Sequence, residues 1–200
     1  MQTIPAASNS AEIQSGLQSS STSLANRAIA VVGASALVAL CAHIALPLYF
    51  TPIPLTLQTF AVLLVGFALG PQAAFAALAL YLAEGAAGLP VFNPHGPGGL
   101  AQLLGPTGGF LLSYPFAAAA AGAVYRRTRT RISPFLAACV AGVPASIVIF
   151  AVGAVWLGFL THANAPALWT AAVAPFLPGE VLKVAAAAGC VGAWQRWKKY

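Results

Sequence analysis

From Ala28 to Trp194 the chain is a succession of six apolar stretches, separated by short breaks of Pro, Gly, Asn or Arg. They fall near residues 28–46, 56–70, 73–87, 107–125, 134–160 and 168–195. None alternates polar and apolar positions, as the strands of a membrane barrel must. A helix needs about 20 mainly apolar residues to span a bilayer, so the pattern predicts an all-α membrane protein with six transmembrane helices. The second and third stretches are short, and the Gly70-Pro71 turn between them predicts a tight helical hairpin. Residues 1–26 are rich in Ser, Gln, Thr and Ala, hold a single acidic residue, Glu12, and lack both the basic n-region and the apolar h-region of a signal peptide. A disordered cytoplasmic tail is expected there, leaving 27–200 as the membrane domain.

Composition reinforces this reading, because 60% of the residues are hydrophobic and only 6% are charged. A soluble domain carries roughly 25% charged residues. The formal net charge of +6 does not point to nucleic acid, because the basic residues sit between apolar runs in short clusters. Arg126, Arg127, Arg129 and Arg131 form one cluster, and Arg196, Lys198 and Lys199 form another. The connections near 47–56, 88–106 and 161–167 contain no Lys or Arg. Basic loops stay cytoplasmic, so both termini are expected inside.

The connection between the third and fourth spans is irregular. Residues 88–109 read GLPVFNPHGPGGLAQLLGPTGG, short apolar pieces punctuated by Gly and Pro. Irregular backbone at membrane depth is tolerated where it is buried in protein or lines a cavity, which makes this outer loop a candidate lid or wall. The three cysteines, Cys41, Cys139 and Cys190, stand singly within apolar segments and read as packing residues. His43, His95 and His162 have no partner at helical spacing, so a metal site is not expected; only His95, in the outer loop, is a candidate ligand contact. No Walker A, HExxH or GxSxG pattern is present. Any ATP-driven step would have to be powered by a partner, and an enzyme is not expected.

The informative positions are the ionisable residues inside apolar spans, which face the protein interior or water: Glu84, Glu180 and Lys183. Glu180 and Lys183 are three residues apart in PFLPGEVLKV and share a helix face. They could form a structural ion pair. They could equally form a ligand site, because Pro175, Pro178 and Gly179 would loosen or break the helix just before them, and discontinuous helices commonly line substrate sites. A carboxylate beside an ammonium suits a neutral group with donors and an acceptor, such as a ureido ring. Glu84 could line the same cavity or sit in the outer interface, and Gln58 could turn inward to a ligand or bond a helix end. Tyr81, Phe92, Phe110, Tyr114 and Trp169 lie near the outer ends of spans, as interface anchors or, for Tyr81, Phe92 and Tyr114, as walls of the cavity. In the first span, Ala30 with Ala34 and Ser35 with Ala39 are small residues at four-residue spacing, a pattern that permits close helix approach within the chain or to a partner.

Three segments together, TPIPLTLQTFAVLLVGFALGP, YLAEGAAGLPVF leading into LLGPTGG, and PFLPGEVLKV, resemble the BioY family of biotin transporters, in the expected order over roughly residues 28–195. The resemblance implies a biotin site open to the outside of the bacterial cytoplasmic membrane. It also implies a partner module of a transmembrane coupling protein and two ATPases, with biotin as cargo and no cofactor. Carried over by position, it assigns Glu180 and Lys183 to the ureido group, with Glu where many relatives have Asp. It places Gln58 at the site and assigns partner docking to Ser35 and Ala39. Some relatives carry an Arg in the glycine-rich loop, whereas this chain has Asn93-Pro94-His95-Gly96-Pro97; Asn93, His95 or backbone N–H groups are the remaining candidates for the biotin carboxylate. The competing readings are a substrate-binding component for another small vitamin and a structural membrane subunit.

Overall fold

The computed structural model describes the backbone of residues 6–197 and the side chains of 24–197; Lys198 and Lys199 of the C-terminal basic cluster lie outside the described residues. The chain is predominantly helical: α1 (Ala6–His43), α2 (Gln58–Leu69), α3 (Pro71–Ala86), α4 (Gly99–Leu104), α5 (Gly108–Thr128), α6 (Pro134–Thr161), α7 (Ala165–Leu168) and α8 (Leu177–Trp197). Four segments are long and apolar enough to cross a bilayer: Leu24–His43, α5, α6, and the stretch from Ala165 to Trp197. The helix α1 reaches back to Ala6, into the segment expected to be a disordered tail, of which residues 1–5 lie outside the described residues. Once the apolar span supplies a helical nucleus, extending it upstream through Ala, Ser and Gln requires only residue-by-residue propagation.

The hairpin of α2 and α3 turns at Gly70, whose φ of 78° and ψ of 179° place it in a region open essentially to glycine alone. Pro71 opens α3 at a position where its missing N–H is no loss. The Arg126 guanidinium covers this turn and donates to the Leu69 carbonyl at 2.8 Å, tying the hairpin to the end of α5. Two features are finer than the hydrophobic pattern resolves. A two-residue antiparallel pair, β1 (Ala45–Leu46) and β2 (Leu55–Thr56), with Ala45 opposite Thr56, closes the loop after α1. The outer loop holds α4.

Helix α5 is the centre of the bundle, with about two-thirds of its apolar window buried, against 33% for α6 and 28% for the last segment. It packs on α2, α3 and α6. Lipid offers no hydrophobic drive between helices, so close approach of small side chains does the packing. Ala117, Ala118, Ala121, Ala137, Ala138, Ala141, Ala145, Ala187 and Ala188 have no exposed surface, whereas Val155, Phe159, Val181 and Leu182 face outward. At the crossing of α2 and α5, a Cβ on Gly66 would lie 2.6 Å from the Ala118 carbonyl oxygen, so the two backbones are in direct contact.

The last segment is discontinuous, as the prolines predict. A π-helical turn, Trp169–Val173, and a 3₁₀ turn, Ala174–Phe176, intervene before α8 begins at Leu177. The backbone leaves helical values at Val173, two residues ahead of Pro175, whose ring bars the regular helix. Thr51, in the loop closed by the β pair, donates to the Ala171 carbonyl at 2.7 Å and holds the π turn in place.

Candidate functional site

The break puts Glu180 in the first turn of α8, where the free N–H groups of the helix favour a carboxylate. Glu180 is 4% exposed, and its neighbours come from three helices. Thr59 of α2 donates to Oε2 at 2.8 Å, and Ser146 of α6 donates to Oε1 at 2.7 Å. One turn along α8, the Lys183 Nζ stands 3.7 Å from Oε2. Two hydroxyls use two of the roughly four lone-pair positions of a carboxylate. The ammonium is within ion-pair range but not in tight contact, so both charged groups keep hydrogen-bonding capacity.

Glu180, Thr59 and Lys183 face a cavity of about 50 Å³ whose walls come from α2, α4, α5, α6, α8, the loop after α1 and the outer loop. That space holds a few waters rather than a ring system. Gln58, Asn93, Tyr114, Glu180 and Lys183, all anticipated from the sequence, line it together. Thr59, Gln102, Thr107, Phe110 and Ile149 join them. On the far side of Glu180, a wider and almost wholly apolar groove of about 680 Å³ runs between α6 and α8. Its exposed Val143, Ile147 and Val181 mark it as part of the lipid-facing surface.

Gln58 is held by both ends of its amide: Nε2 donates to the Tyr81 hydroxyl at 2.6 Å, and Oε1 accepts from Thr56 at 3.1 Å. Tyr81 stands behind Gln58 and outside the cavity wall. Its ring meets Phe92 edge to face at 5.3 Å between centroids, and Phe92 fills the space over Gly85. Both aromatics support the wall rather than form it. His95 is exposed at the loop surface, with its backbone N–H donating to the Asn93 side chain. Glu84 turns away from the cavity to α1, where it accepts a hydrogen bond from Ser35. In α1, Ser35 and Ala34 are buried against neighbouring helices, and Ala30 and Ala39 are half-buried.

Thr59, Ser146 and Gln102 did not stand out in the sequence. A hydroxyl in an apolar helix satisfies itself locally, and an amide in a loop is unremarkable until its burial is known. Among the described residues no group of three His, Cys, Asp or Glu could hold a metal, and the three cysteines are free.

Apolar helices with a lipid-facing exterior, around an internal cavity carrying a carboxylate and an ammonium, define a multi-pass membrane protein built to hold a small polar ligand. The profile of the BioY family matches residues 12–200, and the chain belongs to that family. It is 38% identical over 169 residues to the biotin transporter BioY of Rhodobacter capsulatus, covering 79% of this chain and 87% of that one. It is 36% identical over 154 residues to the biotin transporter BioY of Thermotoga maritima, covering 77% and 86%. With a probable biotin transporter BioY of Pyrococcus horikoshii the identity is 35% over 136 residues, covering 68% and 76%. The fold matches a crystal structure of the S-component for biotin from an ECF-type ABC transporter, with a TM-score of 0.79 at 23% identity, over 88% of this chain and 93% of the other.

Proposed function

We propose that this chain captures biotin at the outer face of the cytoplasmic membrane, as the substrate-binding subunit of an energy-coupling factor transporter. The observation that carries this is the Glu180 carboxylate, oriented by Thr59 and Ser146 and flanked by Lys183 on the cavity wall. A ureido ring presents two N–H donors and one carbonyl acceptor. The free lone pairs of Glu180 accept the N–H groups, and the Lys183 ammonium donates to the carbonyl. Tyr114 and Phe110 supply apolar surface for the rings, with Gln58 and Asn93 adding amide groups. Tyr81 and Phe92 support the wall from behind, and Glu84 ties α3 to α1 through Ser35.

The cavity of about 50 Å³ is smaller than the bicyclic ring system, so binding requires the outer loop of 88–106 to move away and close again over the ligand. That loop is fastened to α6 where the Trp156 indole N–H donates to the Gly105 carbonyl at 3.0 Å, which makes residues 88–98 the part that swings. In this reading α2 and α3, though short, cross the membrane as the second and third of six spans, both termini are cytoplasmic, and residues 1–26 are a tail outside the membrane domain. A transmembrane coupling protein meets the chain along α1, through Ala30, Ala39 and the exposed residues between them. Ser35 and Ala34 back that face from inside, because Ser35 already engages Glu84. Binding alone moves nothing uphill; inward release is driven by the ATPase pair of the partner module.

The test is uptake of labelled biotin by cells that lack their own biotin transporter and express this chain with a coupling protein and ATPase pair. Accumulation that unlabelled biotin blocks and other water-soluble vitamins leave intact is expected. Equal competition by a different vitamin would assign the chain to that substrate instead.

A further inference from the structure

Gln58 lies on the cavity wall and is buried, and both polar ends of its amide are engaged by hydroxyls. Thr56 accepts the Gln58 backbone N–H at 3.4 Å and sends its own proton to Oε1 at 3.1 Å. At the other end, Nε2 donates to the Tyr81 hydroxyl at 2.6 Å. An amide has two N–H donors and two acceptor positions, so these two side-chain bonds take half of its capacity. They set its orientation without exhausting what it can bond.

The two hydroxyls differ in where they stand. Thr56 is on the cavity wall, whereas Tyr81 is not and has no exposed surface. The Tyr81 hydroxyl therefore acts on a ligand only through Gln58. Its ring is itself confined: Phe92 of the outer loop meets it edge to face at 5.3 Å, and one turn further along α3 the bond from Ser35 to Glu84 ties that helix to α1. A tyrosine so confined offers a fixed acceptor. A glutamine bonded to it gives up its rotamer freedom on folding rather than on binding, which is preorganisation. We infer that Tyr81 is a positioning residue for substrate capture, its hydroxyl presetting the Gln58 amide for a substrate that Tyr81 never touches. This rests on the biotin reading above and adds to it the group that prepares one of its contacts.

The experiment is a double-mutant cycle in biotin affinity, measured by calorimetry on the detergent-purified protein, with thermal unfolding of each variant beside it. Tyr81→Phe keeps the ring and its contact with Phe92 and removes only the hydroxyl. It should weaken biotin binding about fivefold, the scale of one hydrogen bond. Gln58→Leu should weaken it at least as much, and adding Tyr81→Phe to Gln58→Leu should cost nothing more. A merely structural role for Tyr81 predicts the same loss in both backgrounds. Should Tyr81→Phe alone not fold, the comparison of Gln58→Leu with the double variant decides, because neither leaves the Gln58 amide without its partner. Full binding by folded Tyr81→Phe or by Gln58→Leu, or a further loss in the double variant, overturns the inference while the biotin reading stands. A folded wild type that binds no biotin overturns both.

Discussion

Glu180 sits in a span flanked by apolar residues, where an isolated carboxylate would be costly, and Thr59, Ser146 and Lys183 from three helices make it tolerable. Each hydroxyl both satisfies the charge and fixes the plane of the carboxylate. Thr59→Val and Ser146→Ala should each weaken biotin binding by roughly tenfold, within the range for hydrogen bonds to charged groups, with little change in folding, as calorimetry alongside thermal unfolding would report. A purely structural ion pair predicts the reverse, a loss of stability with binding unchanged. Joint replacement of Glu180 and Lys183 by apolar residues separates the readings further: as a bridge the pair is dispensable, as a ureido site it is not. Glu180 and Lys183 were legible in the sequence because ionisable residues in apolar spans are rare and these two share a helix face. Their hydroxyl partners were not, since Thr59 and Ser146 lie 121 and 34 residues from Glu180 and only tertiary packing singles them out.

At the scale of elements, long apolar runs and their Pro and Gly breaks located α2, α3, α5 and α6 within a few residues, and the proline cluster foretold the discontinuity before α8, whereas α1 reaches well upstream of its apolar run, into polar sequence. The β pair and α4 escaped because two strand residues or six helical ones are too few to show a period. Where two helices touch at glycine, the structure makes a sharp prediction. Gly66→Ala pushes a Cβ to within 2.6 Å of the Ala118 carbonyl oxygen and should lower stability by about 1–3 kcal/mol through overpacking. At Gly189 in α8 an added Cβ would meet nothing within 4 Å, so Gly189→Ala should leave the unfolding midpoint in detergent unchanged or slightly raised, alanine being the better helix former.

For the whole molecule, the distribution of Lys and Arg sets the orientation in the bilayer. With Cys41, Cys139 and Cys190 replaced by alanine, a cysteine at exposed Ala165 should react with a membrane-impermeant thiol reagent on intact cells, whereas one at exposed Thr130 should react only after the membrane is opened. The opposite pattern would invert the protein and put the cavity on the wrong side for capture.

The central claim, that the Glu180 and Lys183 pair on the cavity wall is a biotin site, is tested most directly by calorimetric titration of biotin into the purified protein and its Lys183→Ala variant, with thermal unfolding as the control for folding. The account predicts that wild type binds and that the variant, still folded, loses at least tenfold in affinity, as removal of a charge-assisted hydrogen bond requires. Undiminished binding by the folded variant, or none by folded wild type, would contradict it.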